Sequence, residues 1–187
     1  MTQPPSSSFT SVSAGGLLAV LKNRCAISQA FDPATGGVHP PVIEFDAIWD
    51  TGATNSVITQ DVIDACGLAP IGVVQTHGVH GAQLADVFLV NIYLPNHVAF
   101  GAIRVTKGLL PDAQILIGMD LISHGDFAVT NFQGITKFSF RFPSMRHIDF
   151  VQEHNDREMR KHMHGGRNKF RPKKHKTFGI NKHKKKK

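Results

Sequence analysis

The residues with the clearest chemical potential form the run Asp50-Thr51-Gly52. The segment before them, Val42 to Trp49, has the two-residue alternation of a strand that packs mainly on one face. Such a strand would deliver Asp50 into a turn where glycine allows close backbone approach and a carboxylate is well placed for chemistry. An Asp-x-Gly run is also ordinary turn punctuation, so these three residues alone leave both interpretations open.

Two later motifs favour a chemical role for Asp50-Thr51-Gly52 over an ordinary turn. Gly78-Val79-His80-Gly81 lies between two strand-like runs and marks the tip of a long hairpin. Ile117 and Gly118 end an apolar run and lead into a short helical segment that contains Asp120. In this order and spacing, the motifs resemble those of the retropepsin family of aspartic proteases, over about residues 17–142.

The resemblance implies an all-β acid-protease barrel with one or two short helices and an endopeptidase that acts on polypeptides without a metal or other cofactor. Catalysis in such an enzyme needs two carboxylates that share one proton, because two charges about 3 Å apart cannot both ionise comfortably. The chain carries one Asp-Thr-Gly run. We therefore expect a symmetric homodimer in which each subunit contributes Asp50 and the pair activates a water molecule.

The resemblance also assigns roles around the catalytic turn. Thr51 would bond across the dimer axis, and Gly52 would contact the substrate backbone. Ala53, Thr54 and Asn55 would lie at substrate-binding positions, where Thr54 departs from the acidic or polar groups that family members often carry.

The hairpin tip and the later apolar motif receive roles by the same resemblance. Residues 78–81, comprising Gly78, Val79, His80 and Gly81, would form a flap that closes over the substrate. His80 is either a solvated loop residue or a group whose charge near neutral pH tunes flap closure. Ile117 and Gly118 would pack behind the catalytic turn. Asp120 would be a structural or capping residue, with a second catalytic acid as the alternative.

The groove around these residues is expected to be apolar, which predicts hydrophobic side chains on either side of the scissile bond. The candidate lining residues are Val57, Ile58, Val79, Leu109, Leu110 and Ile117.

The domain organisation follows from composition. Residues 1–16 are rich in Ser, Pro and Gly and predict a disordered leader. Residues 17–143 alternate short strand-like runs with turn signals, including a short helix, Gln60 to Cys66, that begins after Thr59 and ends at Gly67. Residues 144–187 predict a basic tail that is helical at its start and otherwise disordered.

The charge is divided unevenly between these parts. Residues 1–145 hold six Lys and Arg against ten acidic residues, a net charge of −4, whereas residues 146–187 hold fifteen against four, a net charge of +11. The tail can therefore neutralise phosphates without base specificity, or merely keep the protein soluble. An anionic lipid surface would attract the same residues.

Other site classes are weakly supported. Cys25 and Cys66 have no metal-ligand or redox spacing, which favours reduced core thiols in a cytoplasmic protein. No segment predicts a signal peptide or transmembrane span. The tail histidines, His162 and His164 among them, lack Cys or carboxylate partners at ligand spacing, so a solvated segment is favoured over a metal site.

Two alternatives to the protease remain open at this level. The same dimeric fold could serve as a non-catalytic binding module whose tail recruits nucleic acid or another acidic partner. In the other, the chain is a nucleic-acid-binding protein and its β-domain is only a scaffold.

Overall fold

The computed structural model describes residues 6–78 and 81–165. The chain divides into one compact unit that ends at Arg146 and a second that begins at His147. None of the described helices is long and apolar enough to cross a membrane.

The first unit consists of ten strands and two short α-helices in its described residues. They are β1 (Ser7–Val12), β2 (Leu21–Gln29), β3 (Ile43–Trp49), β4 (Val57–Ile58), α1 (Gln60–Cys66), β5 (Gly72–Gly78), β6 (Gly81–Leu94), β7 (Val98–Lys107), β8 (Ile115–Ile117), α2 (Met119–Ile122), β9 (Asp126–Thr130) and β10 (Lys137–Phe142).

Six of these strands close into a barrel. Their order is β2-β3-β8-β4-β7-β6, and β6 returns to pair with β2. The long strand β6 makes this closure possible, because its second half pairs with β2 while its first half pairs with β5 in a hairpin. The prediction of an all-β barrel with short helices is confirmed.

Local sequence signals fix several element boundaries. Phe45, Ala47 and Trp49 of β3 are buried and alternate with exposed or half-buried residues, as the two-residue period predicts. Helix α1 ends where Gly67 adopts a left-handed conformation with φ of 59°. At the other end Thr59 precedes the helix but makes no side-chain capping bond, and its buried hydroxyl has no partner in the described chain.

A separate three-stranded sheet has the order β1-β10-β9. The prediction of a disordered leader over residues 1–16 is therefore wrong for Ser7–Val12, which pairs antiparallel with β10. The physical reason is a nonlocal one: Phe9 inserts into an aromatic core and is 5% exposed, so burial stabilises a strand whose own composition is polar.

This aromatic core joins the small sheet to the barrel at Trp49. The indole stacks on Phe127 at a centroid distance of 5.2 Å and also contacts the rings of Phe9 and Phe140. Its Nε1 donates to Asn23 Oδ1 at 2.6 Å, which satisfies the polar edge of a buried ring. The last residue of β3 is thus held from several sides, immediately before Asp50.

Both cysteines are free and buried, as predicted for core thiols. Burial raises the pKa of the Cys25 thiol to about 12 and also raises the pKa of Cys66. A protonated thiol is a poor nucleophile, so neither cysteine is prepared for covalent chemistry.

The second unit contains helix α3 (Phe150–Gly165), in agreement with the helical start predicted for the tail. Asp149 caps it by accepting from the Val151 and Gln152 N–H groups at 2.9 and 3.0 Å. The predicted disorder of residues 166–187 lies outside the described residues.

Candidate active site

Asp50 lies at the end of β3 and is exposed. Its own N–H donates to the Ile117 carbonyl at 3.0 Å, which continues the pairing of β3 with β8. Its side-chain Oδ1 accepts from the Gly52 N–H at 2.8 Å, forming the turn. The backbone is therefore fixed, while the other carboxylate oxygen, Oδ2, accepts no hydrogen bond from the described residues.

The turn passes over the end of β8. Strand β8 pairs in parallel with β3 on one side and antiparallel with β4 on the other, so residues 50–56 must cross from one side to the other. Two bonds hold this crossing: the Met119 N–H donates to the Ala53 carbonyl at 2.8 Å and the Asp120 N–H to the Thr54 carbonyl at 3.1 Å.

Gly118 is required by this crossing. A Cβ built there would lie 2.7 Å from the backbone carbon of Asn55 and 3.0 Å from the Ala53 oxygen. Those neighbours are backbone atoms and cannot rotate away, so only glycine fits without moving the Asp50 turn.

A second connection uses side chains. Asp120 Oδ2 accepts from the Ser56 N–H at 2.9 Å, and its Oδ1 accepts from the Ser56 hydroxyl at 2.8 Å. The same hydroxyl accepts from the Gly118 N–H at 3.1 Å. Both Asp120 oxygens are thus engaged in joining the end of the turn to α2, which supports the structural role over that of a second acid.

A groove of about 540 Å³, here the main groove, opens beside the turn. One wall is the turn itself, another is the hairpin β5–β6, and a third is the end of β7 with the residues after it. Its lining residues are Gly52, Ala53, Thr54, Asn55, Val57, Val74, Gln75, Thr76, Gln83, Leu84, Ala85, Thr106, Lys107, Gly108, Leu109 and Leu110.

The predicted site residues are therefore only partly brought together. Gly52 and Ala53, Thr54 and Asn55 line the main groove, and Asp50 and Thr51 are exposed next to them. Gly78 ends β5 and Gly81 begins β6, and Gly81 does not line this groove. Val79 and His80, and with them both interpretations of His80, lie outside the described residues.

The prediction of which apolar residues line the groove is partly wrong. Val57, Leu109 and Leu110 line the main groove, but Ile58 and Ile117 are fully buried in the barrel core. Their strands alternate sides, so the side chains of these two residues face inward, while the Ile117 carbonyl accepts from the Asp50 N–H. Val79 lies outside the described residues.

Sequence reasoning missed the polar side of the groove and the partner of Asp120. Gln75, Thr76 and Gln83 face the groove from the hairpin, and Lys107 does so from the end of β7. Nothing in their local patterns distinguishes them from solvent-facing strand residues. Ser56 carries no local signal either, since its partner, Asp120, is 64 positions away.

In the described residues, no three His, Cys, Asp or Glu side chains are placed to hold a metal ion.

The architecture defines a class: a closed β-barrel that presents an Asp-Thr-Gly turn beside a hairpin-walled groove. Among solved structures, the fold is similar to that of a retropepsin-like aspartic protease from Rickettsia conorii, with 12% identity and a TM-score of 0.45, over 75% of this chain and 98% of that one. It is also similar to the retroviral protease-like domain of Ddi1 from Leishmania major, with 16% identity and a TM-score of 0.38, over 60% of this chain and 82% of that one. No family model and no curated protein matches the sequence.

Proposed function

We propose that the protein is an aspartic endopeptidase that works as a homodimer. The observation that carries this proposal is the state of Asp50: it is exposed beside the main groove, on a backbone fixed by the Gly52 and Ile117 bonds, with one carboxylate oxygen free of partners in the described chain. A carboxylate held in this way is available to a reactant rather than to the fold.

The dimer follows from the chemistry. One ionised carboxylate takes a proton from water as the water attacks the scissile carbonyl, and a second, protonated carboxyl donates to the developing oxyanion and then to the leaving amine. Each chain supplies one such turn, so the pair is Asp50 from two subunits about a twofold axis. The two groups would titrate as a coupled pair.

The small sheet offers a surface for this association. Strands β1 and β9 are its edges in the described chain, and an unpaired edge is a ready template for another strand. Phe9 of β1 contacts Trp49, the residue before Asp50. Edge pairing near this contact would couple dimer formation to the position of the catalytic turn.

The groove fits an extended polypeptide. Its walls combine backbone of the catalytic turn with the apolar side chains of Val74, Leu84 and Leu109, which are 42%, 79% and 97% exposed. Exposed apolar side chains around a groove mark a binding surface. Burial of substrate side chains against them would supply affinity.

The second candidate is a binding module of the same fold without catalysis, in which the basic tail recruits nucleic acid or another acidic partner. The net charge of +11 in residues 146–187 favours it. Such binding would weaken steeply with salt.

The deciding experiment is cleavage of a denatured, proteome-derived peptide pool from pH 4 to 7.5 by the wild type and by Asp50→Asn. We expect cleavage by the wild type and a loss of about a hundredfold to ten-thousandfold in the variant, because this is the typical contribution of an acid–base group. A pool left intact by a wild type shown to be dimeric by sedimentation would favour the binding module. Deleting residues 166–187 tests the tail separately, through retention on nucleic acid at low and high salt.

A further inference from the structure

The main groove continues into a second cavity. This side cavity, of about 400 Å³, is lined by Asn55, Ile71, Gly72, Val73, Val74, Val87, Arg104 and Thr106. Three of these residues, Asn55, Val74 and Thr106, also line the main groove. A chain bound in the main groove thus has a neighbouring cavity for one of its side chains.

The charged side chains that line the two cavities are both positive. Lys107 is the one charged residue that lines the main groove in the described chain, and Arg104 is its counterpart in the side cavity. This is notable because residues 1–145 carry a net charge of −4. Two of the six basic residues of that region therefore face the groove, while none of its ten acidic residues lines either cavity.

Neither cation has an intramolecular role in the described chain. Arg24 pairs with Glu44 and Asp46, and Arg141 pairs with Asp126. Lys107 and Arg104, in contrast, are exposed and make no ion pair or side-chain hydrogen bond there. Their charges are left for a ligand.

The backbone on both sides of Lys107 is hydrogen-bonded to the segment that follows the Asp50 turn. It lies opposite Ile58 in the parallel pairing of β7 with β4, and the next N–H, that of Gly108, donates to the Ile58 carbonyl at 3.0 Å. One residue earlier, the Thr106 N–H donates to the Ser56 carbonyl at 3.1 Å. The backbone that carries the cation is therefore bonded to the segment that begins at Asp50.

We propose that the groove selects polypeptides with an acidic side chain close to the scissile bond, with Lys107 as its counter-ion and Arg104 serving a second acidic side chain in the side cavity. This inference rests on the proposed protease function, whose substrate class it specifies. Within a negatively charged body, these two cations supply a local attraction for Asp or Glu that the apolar walls cannot.

The test starts from a peptide that the wild type cleaves, resynthesised with Glu or Gln at each position within four residues of the cut. We expect kcat/KM to favour Glu at one position or more by about twofold to fivefold, the range for a solvent-accessible ion pair. Lys107→Met should remove the preference at the position nearest the cut, and Lys107→Glu should reverse it in favour of Gln. Arg104→Met should act at a different position.

Lys137→Met is the matched control, since Lys137 is an exposed cation on β10 that lines neither cavity. It should leave every Glu/Gln ratio unchanged. The wild-type preference should also shrink in 0.5 M salt, because exposed charges are screened.

Failure of this proposal is distinguishable from failure of the protease. Cleavage that depends on Asp50 but shows equal rates for Glu and Gln peptides would overturn acid selection and leave the protease intact. An equal loss on both peptides in Lys107→Met would do the same, since it would assign Lys107 to the fold. If nothing is cleaved, fluorescence anisotropy with a labelled Leu- and Val-rich decapeptide carrying two Glu, and with its Gln twin, decides: equal or absent binding overturns the proposal.

Discussion

Asp50 and Asp126 occupy similar places in the chain, each at one end of a strand next to the aromatic core, yet their surroundings are opposite. Asp126 receives four donated hydrogen bonds: from Arg141 Nε at 2.9 Å and from its Nη2, from the Ser144 hydroxyl at 2.6 Å and from the Met145 N–H at 3.0 Å. Asp50 receives one, from Gly52.

The difference shows that both oxygens of one carboxylate, Asp126, are used in bonds within the fold, whereas one oxygen of the other, Asp50, has no partner in the described residues. The Asp126 side chain is 10% exposed and its oxygens are saturated, so it serves to join β9, β10 and the segment after them. Burial opposes its ionised form, but the bonds from Ser144, Met145 and Arg141 outweigh burial and hold the pKa of Asp126 well below its usual range. Asp50 is left open, which is what a reaction with substrate requires.

Replacing Asp by Asn at the two sites should therefore have different effects: loss of cleavage at Asp50 and loss of stability at Asp126. In Asp50→Asn we expect cleavage to fall by about a hundredfold to ten-thousandfold, while the free energy of unfolding changes by no more than about 0.5 kcal/mol. Urea unfolding at fixed protein concentration measures the second quantity. A large loss of stability would mean that Asp50 is a structural residue like Asp126.

In Asp126→Asn we expect the opposite result, a large loss of stability and little change in cleavage. The amide replaces an acceptor with a donor that faces Arg141, leaving a partly buried cation without its counter-charge. We expect the free energy of unfolding to fall by about 2–4 kcal/mol. Cleavage by the fraction that remains folded should be close to normal. Stability unchanged from the wild type would contradict the assignment.

The pH dependence of the unfolding free energy gives a second test of the role of Asp126. Because folding lowers the pKa of Asp126, its ionised form stabilises the fold fully above its ordinary pKa of 3.8, and this contribution is lost as the pH falls below that value toward the folded-state pKa. The difference in unfolding free energy between the wild type and Asp126→Asn should be constant from pH 7 to about 5 and shrink below about pH 4. Urea titrations at each pH measure it; a gap of constant size at pH 3 would contradict the mechanism.

Gly118→Ala tests the support beneath Asp50. The added methyl would meet the backbone of Asn55 at 2.7–2.8 Å, so the turn must shift. We expect a loss of about 1–3 kcal/mol in stability, typical of overpacking, together with slower cleavage. Gly15→Ala is the control, since a Cβ there meets nothing within 4 Å. Equal behaviour of the two variants would show that the turn tolerates displacement.

Asp120→Asn should give the smallest effect. One of the two bonds from Ser56 is lost, because an amide oxygen can replace only one carboxylate oxygen, and we expect a cost of about 1–2 kcal/mol. Combined with Ser56→Ala, the two changes should be non-additive, since each removes the same connection. Asp112→Asn, at an exposed carboxylate, is the matched control. Full additivity in the double variant would argue against the connection.

Much of the fold near Asp50 was predictable because it depends on local signals. The alternation in Val42 to Trp49 predicts β3, and the turn at Gly52 follows from residue type. Helix α1 and its end at Gly67 also follow from neighbouring residues. Thr59, which precedes this helix, makes no side-chain capping bond, and its buried hydroxyl has no hydrogen-bond partner in the described chain.

What the sequence could not predict depends on contacts between distant residues. Phe9 becomes part of a strand because it meets Trp49 and Phe140, and no pattern within residues 1–16 carries that information. Ser56 and Asp120 are 64 positions apart and meet only because the turn crosses the end of β8.

The sequence by itself thus determined that Asp50 ends a strand at a tight turn, because strand period and turn preference are properties of adjacent residues. Only the tertiary structure decided that Lys107 lines the groove beside this turn and that Asp126 is saturated while Asp50 stays open. The reason is that access and pairing depend on which strands close the barrel, and closure brings together residues that no local pattern connects.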